Sequence, residues 1–202
     1  MTDAAGERFL RKHFRSRPDI IDTYFALPST THKADFLRYL VLFAEGGVWF
    51  DRISCENTPI RDWIPKGFKD VVNLVVGLEA DMGLNDDARQ FAPWAIMAAP
   101  KSPHVLRFIN DIVGAVHGAA KGDKLAGLGD VSGLTGPKRF TRAVLESLEI
   151  STNGTVDKNG IAHLLRPLLV GDVAIMPGYS FAASLNTYEA GVGTRLVRHH
   201  SN

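Results

Sequence analysis

The chain has 202 residues, the size of a single domain that can bury a core of its own. Hydrophobic residues make up 45% and charged residues 22%, which excludes a disordered chain, and a net charge of +1 lacks the basic excess that nucleic-acid binders carry. The one cysteine, Cys55, allows no intrachain disulfide, no Cys/His cluster has zinc spacing, and Cys55 itself reads as a small buried filler.

In chain order, residues 5–16 read as a charged helix that Pro18 ends, and 20–27 as a second short helix before Pro28. The clearest element is a helix over 33–44, where Phe36, Leu37, Leu40, Val41 and Ala44 recur at helical spacing. Gly46-Gly47 stops it, and 47–51 reads as a short buried strand ending in Asp51. A valine-rich run over 71–78 reads as a strand, and 91–99 is apolar but ambiguous between helix and strand. Ser102-Pro103 opens a helix with a stripe of Val105, Leu106, Ile109, Ile112, Val113 and Val116. Residues 121–136 are glycine-rich and read as a loop, Pro137 opens a helix to about residue 148, and 172–176 and 194–197 read as closing strands. Asn153-Gly154 and Asn159-Gly160 are turn pairs; Asn153-Gly154-Thr155 is also a glycosylation sequon, with a hairpin turn the preferred reading. Strands alternating with helices predict an α/β layer fold.

No run approaches the ~18 apolar residues of a membrane span, 39–44 being the best, and residues 1–6 lack the apolar stretch of a signal peptide, so the chain as written reads as soluble.

The chemistry concentrates between residues 35 and 51. Asp35, Arg38 and Tyr39 stand at i, i+3 and i+4, on one face of the helix. Spacing alone makes Asp35 and Arg38 a solvated ion pair worth about 0.2–0.5 kcal/mol. The strand that follows changes the reading, because ligands of open α/β sheets bind beyond the carboxyl ends of strands. Asp51 stands at such an end, where a carboxylate can hold a divalent cation against a diphosphate, while an arginine fork reaches phosphate or sugar oxygens.

Ala34-Asp35-Phe36-Leu37-Arg38-Tyr39 followed by Gly46-Gly47-Val48-Trp49-Phe50-Asp51 resembles the DXD sugar-binding region of glycosyltransferase family 32. Weaker blocks follow in order, among them Val76-Gly77-Leu78-Glu79-Ala80-Asp81, Trp94-Ala95-Ile96-Met97-Ala98, Thr135-Gly136-Pro137 and Arg198-His199-His200. The resemblance implies a GT-A-like, Rossmann-type nucleotide-sugar domain lacking its first strand and the Golgi membrane anchor that precedes it in the family. It implies transfer of a hexose, mannose first, from a nucleotide-diphosphate sugar such as GDP-mannose to a glycan or sphingolipid acceptor. The implied substrate-binding positions are Asp35, Arg38, Tyr39, Gly46 and Gly47; the implied metal positions are Asp51, His199 and His200, with manganese the expected divalent cation. One departure stands out: Asp51-Arg52-Ile53 replaces Asp-x-Asp, and an isoleucine cannot ligate a cation. Glu56 is the nearest acid that would compensate, although an exposed loop charge is its simpler reading. A weakened cation site is therefore expected, and the competing expectation is a degenerate relative that binds sugars or partners without turnover. Trp94 reads as buried rather than as an acceptor-pocket wall, and Met97 and Met176 as core.

Overall fold

The computed structural model describes residues 3–51, 53–56, 58–80, 90–121, 130–182 and 193–200. Its organising strand is β3 (Leu74–Ala80), in which Leu74, Val75, Val76 and Leu78 are all buried. Burial on both faces explains why this segment reads as a continuous apolar run rather than an alternating one. On one side β3 pairs antiparallel with β5 (Ala95–Ala98), which pairs antiparallel with β1 (Gly47–Phe50). On the other side it pairs parallel with β7 (Val173–Met176), which pairs antiparallel with β6 (Leu168–Val170). The two-residue β4 (Gln90–Phe91) also joins β3, and β2 (Ile53–Cys55) forms a separate ribbon with β8 (Val197–His199). The sheet is thus mixed, in the order β1-β5-β3-β7-β6, within an α/β architecture.

Strand alternation sorts the sheet's side chains into two layers. Leu74, Val76, Leu78, Ile96, Ala98, Val173 and Ile175 face the larger core, which also takes residues of α1 (Asp3–His13), α2 (Pro18–Ala26), α3 (Thr30–Glu45), α4 (Pro103–Lys121) and α6 (Pro137–Thr152). Val75, Ala95, Ala174 and Met176 face a smaller core with Trp63, Phe181 of α7 (Gly178–Ala182), Leu196 and Val197. Gly77 is required here: a Cβ on it would lie 2.3 Å from the Phe181 ring. The remaining helix, α5 (Val131–Leu134), is a single turn within the stretch that reads as a loop; residues 122–129 lie outside the described set.

Several expectations shift. Pro18 opens α2 in its first turn, where its missing N–H costs nothing, and α1 has already ended at His13. The ambiguous run over 91–99 resolves into β4, a turn and β5, and the closing strand falls at Val197–His199 rather than 194–197. Asn153 is not a hairpin residue: it caps α6 in the left-handed region (φ 52°), which asparagine tolerates better than most residues. Cys55 is exposed on β2, not buried. Trp94 and Met176 are buried as expected, and Met97 is half-buried. No described helix is long and apolar enough to cross a membrane.

Candidate functional site

Helix α3 and strand β1 form a hairpin whose dimensions return Asp51 to Arg38. Ser29 caps α3 by accepting from the His32 N–H, and Gly46 ends it with φ at 69°. From Arg38 to Gly46 the helix climbs about 12 Å. Gly46 and Gly47, both at positive φ, reverse the chain, and from Gly47 to Asp51 the strand descends about 13 Å. The near-equality of the two lengths brings Asp51 level with Arg38.

There Arg38 Nη2 bridges two carboxylates. It donates to Asp35 Oδ1 at 2.9 Å and also to Asp51 Oδ2. Asp51 Oδ1 accepts from Trp49 Nε1 at 2.9 Å, and Asp35 Oδ2 accepts from the Thr135 hydroxyl at 3.0 Å. Side-chain exposure falls from 36% at Asp51 to 13% at Asp35 and 6% at Arg38, so the expectation of a solvated ion pair is overturned. Nε and Nη1 of Arg38 are buried and have no hydrogen-bond partner among the described residues. A buried donor without an acceptor costs about 1–3 kcal/mol, so these two N–H groups mark where acceptor oxygens belong. Burial is the largest influence on the Asp35 carboxyl and pushes it above its ordinary range; Arg38 and the Thr135 hydroxyl oppose that, and the Asp51 charge adds to it.

The structure brings Asp35, Arg38 and Asp51 together, packs the buried Tyr39 ring beside them with its centroid 6.0 Å from the Arg38 guanidinium carbon, and sets Gly46 and Gly47 at the far end of the strand. Tyr39 is 1% exposed; it stacks on Phe140 and donates its hydroxyl to the Thr135 carbonyl at 3.0 Å. Its ring is therefore buried in the core beside the cluster. At about 100° per residue, Arg38 and Tyr39 diverge to either side of Asp35, and only Arg38 turns to the strand end. Gly46 and Gly47 make the reversal at the other end of β1, where Gly47 pairs with Ala98, about 13 Å along the strand from Asp51. They shape the hairpin and do not stand beside the carboxylates.

The histidine pair lies on the neighbouring ribbon. His199 pairs in register with Ile53, so the chain's end runs alongside the degenerate motif; the His199 side chain lies outside the described set. His200 is exposed, its Nε2 3.0 Å from Ser54 Oγ. Ile53 packs against the smaller core, and Glu56 accepts from Arg198 Nε at 3.3 Å. Arg52 lies outside the described residues. Among the described residues no three His, Cys, Asp or Glu side chains converge as a metal set. Both oxygens of Asp51 are already engaged by Arg38 and Trp49. The described donors therefore do not fit a protein-built cation site.

Two residues of the neighbourhood carried no assignment in the sequence reading. Thr135 is fully buried against Asp35, and its only signal was its place in Thr135-Gly136-Pro137. Glu79 stands near the carboxyl end of β3, where Trp94 Nε1 donates to Oε1 at 3.3 Å. Burial pushes the Glu79 carboxyl up, and the indole donation partly offsets it. The Trp94 carbonyl in turn accepts from the Asp51 N–H at 2.9 Å, which ties Glu79 to the same end of the sheet.

Comparison with known proteins points to a family for the segment that holds the cluster. The family model for the glycosyltransferase sugar-binding region containing the DXD motif matches residues 4–66. An initiation-specific alpha-1,6-mannosyltransferase of Schizosaccharomyces pombe is 36% identical over 171 residues, covering 81% of this chain and 43% of its own length. One of the same name from Candida albicans is 31% identical over 198 residues, covering 84% of this chain and 51% of its own. The chain thus spans about half the length of the curated relatives it matches. Proteins with a DXD motif of this kind generally bind a divalent cation; in this chain Asp51 is followed by Arg52 and Ile53. Residues 4–66, which hold the motif helix, the Gly-Gly reversal and the strand-end aspartate joined through Arg38, thus match the glycosyltransferase sugar-binding region containing the DXD motif, and the chain is similar to alpha-1,6-mannosyltransferases along most of its length.

Proposed function

We propose that this chain forms the donor site of a GT-A-like hexosyltransferase acting on a nucleotide-diphosphate sugar, GDP-mannose first, with a glycan or glycolipid as acceptor. The observation that carries the reading is Arg38, a buried guanidinium fixed by two carboxylates with two N–H groups still unpartnered among the described residues. Arg38 with ionised Asp35 and Asp51 sums to one negative charge. That balance disfavours a bare diphosphate and suits sugar or ribose hydroxyls, which donate to carboxylates and accept from guanidinium N–H groups. The site orients the sugar ring beneath the strand ends and keeps its polar partners preorganised, so that little rearrangement is needed as charge develops on the departing diphosphate. The described side chains build no cation site here, so in this reading any manganese would be held chiefly by the diphosphate itself. By family resemblance the setting is the Golgi.

A second reading has its own support. Ile53 packs into the smaller core and no three-donor cation set forms among the described residues, which favours a relative that binds sugar nucleotides without turning them over. A donor-hydrolysis screen over GDP-, UDP- and ADP-sugars, with and without manganese and paired with calorimetric binding, separates the two. Hydrolysis of a GDP-hexose supports the transferase; binding without hydrolysis supports the second reading; neither binding nor hydrolysis removes both.

A further inference from the structure

Thr135 ends α5 and touches α3 twice. Its hydroxyl donates to Asp35 Oδ2 at 3.0 Å and its carbonyl accepts from the Tyr39 hydroxyl at 3.0 Å. Asp35 and Tyr39 are one helical turn apart, so a single residue holds two successive turns of the motif helix. Thr135 is fully buried, and its own N–H is tied to the Val131 carbonyl at 3.0 Å. The next residue is no freer: a Cβ at Gly136 would lie 2.9 Å from Ser132 Cα and from the Val131 carbonyl oxygen. The hydroxyl therefore has no route to water, and the carboxylate is the acceptor it meets.

We propose that Thr135 is a positioning residue for the donor site: its hydroxyl, bonded to Oδ2, fixes the plane of the Asp35 carboxylate, so that Oδ1 holds Arg38 against Asp51. The proposal rests on the reading of Asp35, Arg38 and Asp51 as the sugar-nucleotide site. Its physical basis is a balance at Asp35. Burial and the Asp51 charge favour the neutral acid, while Arg38 and the Thr135 hydroxyl favour the carboxylate. Deleting the hydroxyl removes one of the two restraining partners, and a neutral Asp35 loses its ionic grip on Arg38. Tyr39 lies against the same corner, but its phenol is committed to the carbonyl and does not titrate in the range of a carboxylic acid.

The test uses Thr135→Val, which keeps the backbone carbonyl and the side-chain shape; Thr135→Ala, a second hydroxyl-free variant in case the first folds poorly; and Thr135→Ser, which keeps the hydroxyl. The first readout is the Asp35 carboxyl titration in the free protein, followed by carbon-13 NMR. Thr135→Val and Thr135→Ala are expected to raise the midpoint by about one pH unit, the scale of one lost hydrogen bond to a charged group, with Thr135→Ser close to the unaltered chain. The second readout is GDP-mannose affinity at pH 6, expected to fall about tenfold in the hydroxyl-free variants and to recover in Thr135→Ser. A midpoint equal in all variants, or shifted as much by Thr135→Ser as by Thr135→Val, overturns the proposal and leaves Thr135 a structural pin. If the unaltered chain does not bind GDP-mannose, the donor-site reading fails by itself, and the carboxyl titration still decides the role of the hydroxyl.

Discussion

Arg38→Met removes the charge at the centre of the cluster while keeping most of the side chain's apolar stem. It leaves Asp35, 13% exposed, and Asp51, 36% exposed, facing one another without a cation. Taking one partner from a buried ion pair costs about 3–5 kcal/mol. The Asp51 arm is solvated enough to contribute under about 1 kcal/mol of that, and deleting two unpartnered buried N–H groups gives some of it back. The net expectation is a loss of about 3 kcal/mol at pH 7, equivalent to about 6–12 °C in Tm for a chain of this size. The loss also depends on pH. The folded Asp35 carboxyl already stands above the ordinary 3.8, and removing Arg38 raises it further. A group whose folded pKa is raised favours the folded state below its unfolded pKa, and that contribution fades as pH rises through the folded value. The variant therefore approaches the unaltered chain in acid and falls away toward neutrality. Urea denaturation of both proteins at pH 7 and near pH 4 measures this directly. A loss under 1 kcal/mol at pH 7 that is unchanged in acid would refute the buried, carboxylate-bound Arg38 on which the site is built.

The other expectations are narrower. Ile53→Asp restores the missing carboxylate at the cost of a half-buried packing residue, so it should lower Tm by a few degrees yet raise manganese affinity in the presence of GDP; calorimetry showing no gain ends the cation account of this motif. Gly77→Ala sets a methyl group against Phe181 and should cost about 1–3 kcal/mol in denaturant unfolding, whereas Gly47→Ala, which meets no neighbour, is limited to the strain of its positive φ. Burial pushes the Asp172 carboxyl up, but donations from Asn73 at 2.7 Å and His104 at 2.8 Å outweigh it and hold the pKa below 3.8. Its contribution to stability is thus present above 3.8 and lost as pH falls through the lower folded value; Asp172→Asn should flatten that acid limb in a stability-versus-pH series.

What could be read from the sequence was what local periodicity encodes. The apolar spacing of α3, its Gly46-Gly47 stop and the stripe of α4 each follow from one stretch of chain, and together with Asp51 they placed three members of the cluster. The burial of Tyr39 is not legible in the spacing, because an i, i+4 relation to Asp35 fixes a side chain only to within about 40° around the axis. Which flank meets the core depends on Phe108 and Phe140, some 70 and 100 residues away in sequence. The β2–β8 ribbon carries no local signal at all: Ile53–Cys55 finds its partner at Val197–His199, and the pairing that leaves Cys55 exposed exists only in three dimensions. The same holds for β6, three half-buried residues that acquire meaning by pairing with β7. Asn153-Gly154 had the composition of a turn, and the helix running into it, not the dipeptide, decided that it became a left-handed cap. The burial of Arg38 was hidden too, because spacing reports that two charges meet but not the dielectric in which they do so.

The central claim is that Arg38, held by Asp35 and Asp51, contacts a sugar nucleotide, and titration of GDP-mannose into the unaltered chain and into Arg38→Lys tests it most directly. The lysine keeps the charge between the two carboxylates but lacks the planar fork whose Nε and Nη1 are left for a ligand. The account predicts measurable binding by the unaltered chain and a loss of about 1.5–3 kcal/mol, roughly tenfold or more, in Arg38→Lys, with the variant still folded. Equal affinities in the two proteins would contradict it.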